Sequence, residues 1–293
     1  MLAIRKKHKE KIRRSKTERV IFIIVGILFT IYALTLIYPF IWAILTSLKT
    51  NKELHMNSPF DMPQNFLIDN YFLAFRELNI RGNNMFQMIF NSLWFSIGGT
   101  VINIFICCMS SYVVAKYEFK GRKFIYNLAL FLMLLPIVGS LPAQYKLVHE
   151  LKLDNSPLFL LTCTGGFGFN FIVLHSFFKS LSWEYAEAAF IDGASHFQVF
   201  YKVMLPQAIG PVFSLALIQG IGFWNDYMTP MLYLPDFPTL ANGLFEYERE
   251  MIQGSNIPIY FAGLVMSMIP IMILFAVFQN TIMEKTTMGG LKG

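Results

Sequence analysis

Six stretches of this chain, at roughly 20–46, 87–113, 124–145, 157–178, 209–234 and 257–283, run for some 20 residues or more with almost no charge. A helix of about 20 apolar residues matches the ~30 Å hydrocarbon core of a bilayer. In that medium backbone N–H and C=O groups must bond within the segment, which selects helices. The fold class expected is therefore all-α integral membrane with six transmembrane helices. Composition agrees, because 14% of residues are charged, whereas a soluble domain carries roughly a quarter. The first stretch follows the basic leader "IRKKHKEKIRRSK" and could be mistaken for a secretory signal. Its uncharged run of about 27 residues exceeds the ~7–15 of a signal core, so it is read as a retained span.

Charge placement predicts the orientation. With a cytoplasmic N-terminus, inner segments hold 17 of the 24 Lys and Arg residues, nine of them in the leader and four in "AKYEFKGRK". That bias is the positive-inside pattern, and it predicts both termini in the cytoplasm. The basic excess then faces anionic lipid and cytoplasmic partners, which argues against a nucleic-acid ligand. The division expected is a basic cytoplasmic tail over 1–19, a six-span domain over 20–283 and a cytoplasmic tail over 284–293.

Few groups suggest chemistry. Cys107, Cys108 and Cys163 fall inside spans, where a thiol behaves as a small apolar side chain. No His/Asp/Glu cluster has metal-ligand spacing and no Ser–His–Asp order stands in a plausible common cavity, so neither a metal site nor a catalytic residue is assigned. "GGFGFN" at 165–170 lacks the strand that a phosphate cradle requires and reads as close helix packing through small residues. Asp226, in "GFWNDYMTP", is the acid nearest bilayer depth, about 25 Å up its span at 1.5 Å per residue. Charge in a span is by default a functional candidate, so Trp224, Asn225 and Asp226 are candidates for a translocation path. A carboxylate bracing a helix beside Pro230 is the other reading. The stretch between Pro238 and the last span reads as an exposed outer excursion with a helical centre, and "NYFLAFREL" as a short interfacial helix.

One cytoplasmic segment, within 180–208, is specified differently. Ser182 can cap a helix whose first turn holds Glu184, on the positive end of the dipole. Gly193 can take the left-handed conformation that ends it. Ser195 then opens a second helix, with Gln198 completing a capping box. Phe197, Phe200, Tyr201 and Met204 fall at helical spacing as one apolar stripe. Two helices joined by a sharp turn would make a rigid docking lever, while an interfacial amphipathic loop remains the plainer alternative.

The same residues carry a resemblance. Glu187-Ala188-Ala189-x-x-x-Gly193, nine residues, then Val203-x-Leu205-Pro206 is similar to the coupling-loop signature of ABC importer permeases. "YPFIWAILTSLKT", "NSLWFSIGGTV", "SSYVVAKYEFKGRK", "FWNDYMTPM" and "GGLKG" resemble, in order, the carbohydrate-uptake, maltose-type class, over nearly all of the chain after the basic tail. Two departures are Val203, where the class carries Ile, and the lack of Pro ahead of the first helix.

The resemblance implies the type I importer permease fold, with 180–208 as the coupling loop. It implies a multi-pass protein of a bacterial cell membrane that imports sugars or oligosaccharides. Its implied partners are a second homologous permease subunit, two copies of a cytoplasmic ATPase and an extracellular or periplasmic substrate-binding protein. No cofactor would sit on this chain, ATP and Mg being held by the ATPases, and this subunit would not itself be an enzyme. Glu187, Ala188, Ala189, Asp192, Gly193, Leu205 and Pro206 would dock on an ATPase. The tail Gly289, Gly290, Leu291, Lys292 and Gly293 would enter the ATPase interface, and Phe245, Glu246, Tyr247, Glu248 and Arg249 would meet the binding protein. An ion-coupled secondary transporter is the competing class. It would show inverted repeats and paired intramembrane acids, and neither is evident.

Overall fold

The computed structural model describes residues 15–56, 60–135, 139–164, 166–251 and 256–287, with side chains of the last helix described as far as 279. The expected tail contacts at Gly289 to Gly293 lie outside the described residues. Most of the described chain is helical. In chain order the helices are α1 (Lys16–Ser47), α2 (Asn51–Met56), α3 (Asp69–Glu77), α4 (Met85–Lys116), α5 (Arg122–Leu134), α6 (Leu141–Glu150) and α7 (Phe169–Ser180). There follow α8 (Glu184–Ile191), α9 (His196–Gln207), α10 (Ile209–Asn225), α11 (Met228–Tyr233), α12 (Leu240–Glu250) and α13 (Ile257–Thr287).

Among the described residues α1, α4 and α13 are individually long and apolar enough to cross a membrane. Helix α1 exposes Val20, Leu28, Phe29 and Leu34 in every direction and buries residues only at its outer end, Ala43, Thr46 and Ser47. A helix apolar all round is stable when lipid covers it. At that outer end Trp42 meets Phe261 of α13 edge-on, with centroids 5.0 Å apart. Helix α4 is the hub, packed on α7 and α10 along its inner length and on α12 near its start. Its N-terminus is set by a capping box between Asn84 and Gln87.

The third, fourth and fifth apolar stretches are not the single helices expected. Between 124 and 145, α5 ends at Leu134 and α6 starts afresh at Leu141, running on to Glu150. Pro142 suits a helix's first turn, where its missing N–H costs nothing. Between 157 and 178, a 3-10 turn (Pro157–Thr162) precedes α7, which begins only at Phe169. Gly166 and Gly168, within the run read as helix packing, stand in the interruption itself. Gly166 has φ +48° and Gly168 is the N-cap of α7. Cys107 Sγ on α4 lies 3.8 Å from Gly166 O, but a Cβ at Gly166 would meet nothing within 4 Å, so the missing side chain is not what permits that contact. Between 209 and 234, α10 stops at Asn225 and α11 begins after Asp226.

"NYFLAFREL" is helical as expected, forming α3. A two-residue hairpin, Asn79–Ile80 against Asn83–Asn84, turns through Arg81 and Gly82, both at positive φ. That is the pattern of the tight turn whose twist matches paired strands. Arg81 bonds the Pro235 carbonyl at 3.2 Å and Glu246 at 2.9 Å. Asn155 and Asp236 exchange side-chain and backbone bonds, joining the second outer loop to the third.

Candidate functional site

The segment Glu184–Gln207 lies at the end of α7 opposite the outer loops. Helix α9 meets α10 at 79°, so it lies across the span direction and does not extend it. The first helix is short, and its N-cap is Trp183 in place of the expected Ser182. Ser182 Oγ accepts the Glu184 N–H at 3.3 Å, and Trp183 O takes the N–H groups of Ala186 and Glu187. The exit is a paired C-terminal motif. Gly193 N–H bonds Phe190 O at 3.0 Å, and Ala194 N–H bonds Ala189 O at 2.9 Å. These are the two bonds of a Schellman cap, which needs a left-handed residue at the turn. Gly193 supplies it with φ +80°. The second helix begins as predicted, Ser195 Oγ accepting Gln198 N–H at 3.3 Å while Gln198 Oε1 accepts Ser195 N–H at 2.8 Å.

The predicted apolar stripe on α9 is split. Phe200 and Met204 are buried, but Phe197 and Tyr201 are exposed and stack on each other. Residues Val199–Met204 form a π-helix, with Leu205 N–H reaching back to Phe200 O. Pro206 cannot donate to the carbonyl of Lys202 and would crowd it in an ordinary turn. The wider turn places Val199 on the buried face in place of Tyr201.

Beneath the turn is an apolar core. Ala186, Val199, Phe200 and Met204 pack with Tyr112 of α4 and Phe178 of α7. Above it the tip is open: Tyr185, Glu187, Ala188, Asp192 and Gly193 are exposed, Ala189 is half-buried, and Ile191 is 86% exposed. An isolated Leu or Ile on a surface is ordinary, but one this bare, at the apex of a capped turn, is a knob without a hole. Ile191 and Tyr185 were not singled out from sequence. Their position beside Asp192 and Glu187 is the signal that could have drawn attention to them. Leu205 is half-buried and Pro206 exposed at the far end of α9.

The other candidates fall elsewhere. Trp224 is buried, donating its indole N–H to Ser267 O at 3.2 Å. It lines a cavity of about 550 Å³ between α4, α10 and α13, otherwise walled by residues such as Ile97, Leu217 and Leu274. Asn225 is exposed and bonds back to Ile221 O. Asp226 Oδ1 accepts the Thr229 N–H at 3.0 Å, capping α11. Of the two readings left open for this carboxylate, the geometry supplies the bracing contact.

Residues 240–250 form the expected helical centre but are no exposed excursion. Helix α12 buries Leu240, Asn242, Gly243, Leu244 and Glu246. A Cβ at Gly243 would lie 2.0 Å from Met88 Sδ, so the two helices touch there. Glu246 faces inward to Arg81. Phe245 and Tyr247 are half-buried, leaving Glu248 and Arg249 exposed. Arg249 stands 5.8 Å over the Phe245 ring.

Uncharged polar groups at span depth were missed altogether. Asn170 of α7 donates to Asn103 Oδ1 of α4 at 3.2 Å and to Gln219 Oε1 of α10 at 3.1 Å. Three helices are thereby joined by three amides.

Comparison with known proteins agrees with this architecture. Residues 107–287 match the family model described as binding-protein-dependent transport system inner membrane component. The arabinooligosaccharides transport system permease protein AraQ of Halalkalibacterium halodurans is 30% identical over 285 residues, 96% of this chain and 100% of that protein. The diacetylchitobiose uptake system permease protein NgcG of Streptomyces coelicolor is 28% identical over 266 residues, 89% of this chain and 86% of that protein. A chain from the crystal structure of a bacterial ABC transporter involved in the import of the acidic polysaccharide alginate superposes with a TM-score of 0.78. It is 23% identical, with 91% of this chain and 98% of that one covered, and it supports the fold. The chain belongs to the family of binding-protein-dependent transport system inner membrane components, the multi-pass permease subunits of ABC importers.

Proposed function

We propose that this permease imports sugars or short oligosaccharides and that the turn at Gly193 is where its ATPase drives it. The substrate class rests on the relatives, whose names specify arabinooligosaccharides and diacetylchitobiose. The coupling role rests on one observation, the doubly capped turn that holds Ile191 and Asp192 out of a packed base. A lever must be stiff along its own length and anchored beneath, and this element is both. In this reading two ATPase subunits bind ATP and Mg, and one of them receives residues 185–193. A second permease completes the path, and a binding protein delivers substrate to the outer face near Glu248 and Arg249. Closure of the ATPase pair then moves α8 and α9 as one body with the spans they rest on. Both termini are cytoplasmic.

Uptake tests the reading. In vesicles holding the permease pair, the ATPases and the binding protein, arabino- or chito-oligosaccharide uptake is expected to need ATP and to stop with vanadate. Uptake of either class that ignores vanadate and follows an ion gradient would favour the secondary-transporter class instead. Orientation has a separate check. A single cysteine at Glu250 should react with an impermeant maleimide in intact cells, and one at Ser195 should not. External labelling at 195 would overturn both the orientation and the coupling assignment.

A further inference from the structure

Two consecutive residues at the inner end of α4 grip the coupling segment at both ends. The Lys116 ammonium donates to Leu181 O, the carbonyl that closes α7 just ahead of α8. The Tyr117 hydroxyl lies 2.9 Å from His196 Nδ1, in the residue that opens α9 just after the turn. Tyr117 is also the C-cap of α4, its backbone N–H bonding Val113 O and its ψ of 143° ending the helix. The Tyr117 ring is held by three others. Tyr117 meets Tyr112 at 5.7 Å, Trp183 at 5.7 Å and His196 at 5.5 Å, all edge-on. His196 in turn packs on Phe190 at 4.8 Å.

From this we infer that Lys116 and Tyr117 are positioning residues that hang the coupling turn from α4, so that α4 is the span through which the two faces of the membrane communicate. The inference rests on the coupling reading above and adds to it a route and two residues. The route is continuous in the structure. Helix α4 carries Asn103, bonded at mid-depth to Asn170 of α7, which in turn bonds Gln219 of α10, and at its outer end Asn91 donates to Pro238 O and Ser92 accepts from Leu240 N–H, at the start of α12. One rigid helix therefore bonds both to the outer element proposed to face the binding protein and to the inner element proposed to face the ATPase. Packing alone would hold α8 and α9 near α4. Directional bonds at both ends of the segment fix its angle as well, and angle is what a lever transmits.

The test uses the full complex of permeases, ATPases and cognate binding protein, and reads the factor by which the binding protein stimulates ATP hydrolysis. Tyr117→Phe keeps every ring contact and removes only the hydroxyl, while Lys116→Met keeps the stem and removes the donor. A hydrogen bond of ordinary net strength corresponds to roughly a three- to tenfold effect. Each variant is expected to retain its ATPase subunits and its unstimulated hydrolysis, with stimulation reduced by about that factor. His196→Asn, whose Oδ1 takes the place of Nδ1 and can accept from the Tyr117 hydroxyl, is expected to stay close to wild type. Wild-type stimulation in both Tyr117→Phe and Lys116→Met would overturn the inference, as would loss of ATPase subunits from Tyr117→Phe, since the bond would then serve assembly. Gly193→Val, measured alongside, separates the two levels. If it uncouples and the α4 variants do not, the coupling reading stands and only the route fails. If none of the three has any effect, both fall.

Discussion

Gly193→Val is expected to strip the ATPase subunits from the purified complex, or to leave them hydrolysing ATP without response to the binding protein, while the spans still insert. The reason is conformational. No heavy atom lies within 4 Å of where a Cβ at Gly193 would stand, so a larger side chain has room. What it lacks is an allowed backbone, because φ is +80°. A β-branched residue in the left-handed region costs about 1–2 kcal/mol. Escape from that strain releases the bonds to Phe190 O and Ala189 O and misaims the Ser195 cap, which alone is worth about 1 kcal/mol. Together these amount to about 2–3 kcal/mol, or roughly a 30- to 150-fold loss of the docking-competent turn. Gly193→Asn provides the control, since Asn tolerates the left-handed region. It should retain most subunit association, and a failure equal to that of Val would show that bulk matters and not φ. Glu187→Ala should act in the same direction but mildly, because Glu187 is exposed and its helix persists. Wild-type stoichiometry and stimulation in Gly193→Val would mean that the segment is an interfacial loop and no transmission element.

The parts of this site that local rules govern were legible in advance. A Ser followed at three residues by Gln, a glycine after an Ala-rich helix and a Ser ahead of an acidic first turn each act within five residues of chain. The first two took their expected form at Ser195 and Gly193, while Ser182 bonds the Glu184 N–H from one residue ahead of the N-cap, Trp183. What depended on tertiary neighbours was not legible. The helical stripe from Phe197 to Met204 assumed a uniform turn, and the π segment ahead of Pro206 shifted its phase. The broken fourth stretch looks like a span by hydropathy, since composition does not record that Pro157 and the glycines at 166 and 168 divide it. Residues 240–250 appeared solvated because they are polar, yet Glu246 turns inward to Arg81, 165 positions away. The Tyr117–His196 bond spans 79 positions, and no periodicity announces it.

The amides at mid-depth escaped notice for a different reason, because a search for charge passes over Asn and Gln. Asn170→Leu is expected to destabilise the permease more than any substitution on a lipid-facing side of α4, such as Phe90→Leu or Val101→Ala. Asn170 Nδ2 is the donor to both Asn103 Oδ1 and Gln219 Oε1. Leucine is close in size but cannot donate, so two acceptors would face one another across an apolar gap. Asn103 is 6% exposed and has little access to water. Interhelical hydrogen bonds within membranes average about 0.6 kcal/mol and reach about 1.7, and an acceptor left buried without a donor costs about 1–3 kcal/mol. Two such bonds give an expected loss of roughly 1–4 kcal/mol. A thermal-denaturation midpoint in detergent, set against the lipid-facing controls, would measure it. Asn103→Leu should cost less, since it removes one acceptor and leaves Asn170 bonded to Gln219. The double variant Asn103→Leu, Gln219→Leu leaves Asn170 as the one amide of the three, with neither acceptor, and tests non-additivity directly. If Asn170→Leu melts with the wild type, then the three amides are incidental, and α4, α7 and α10 are held by apolar packing alone.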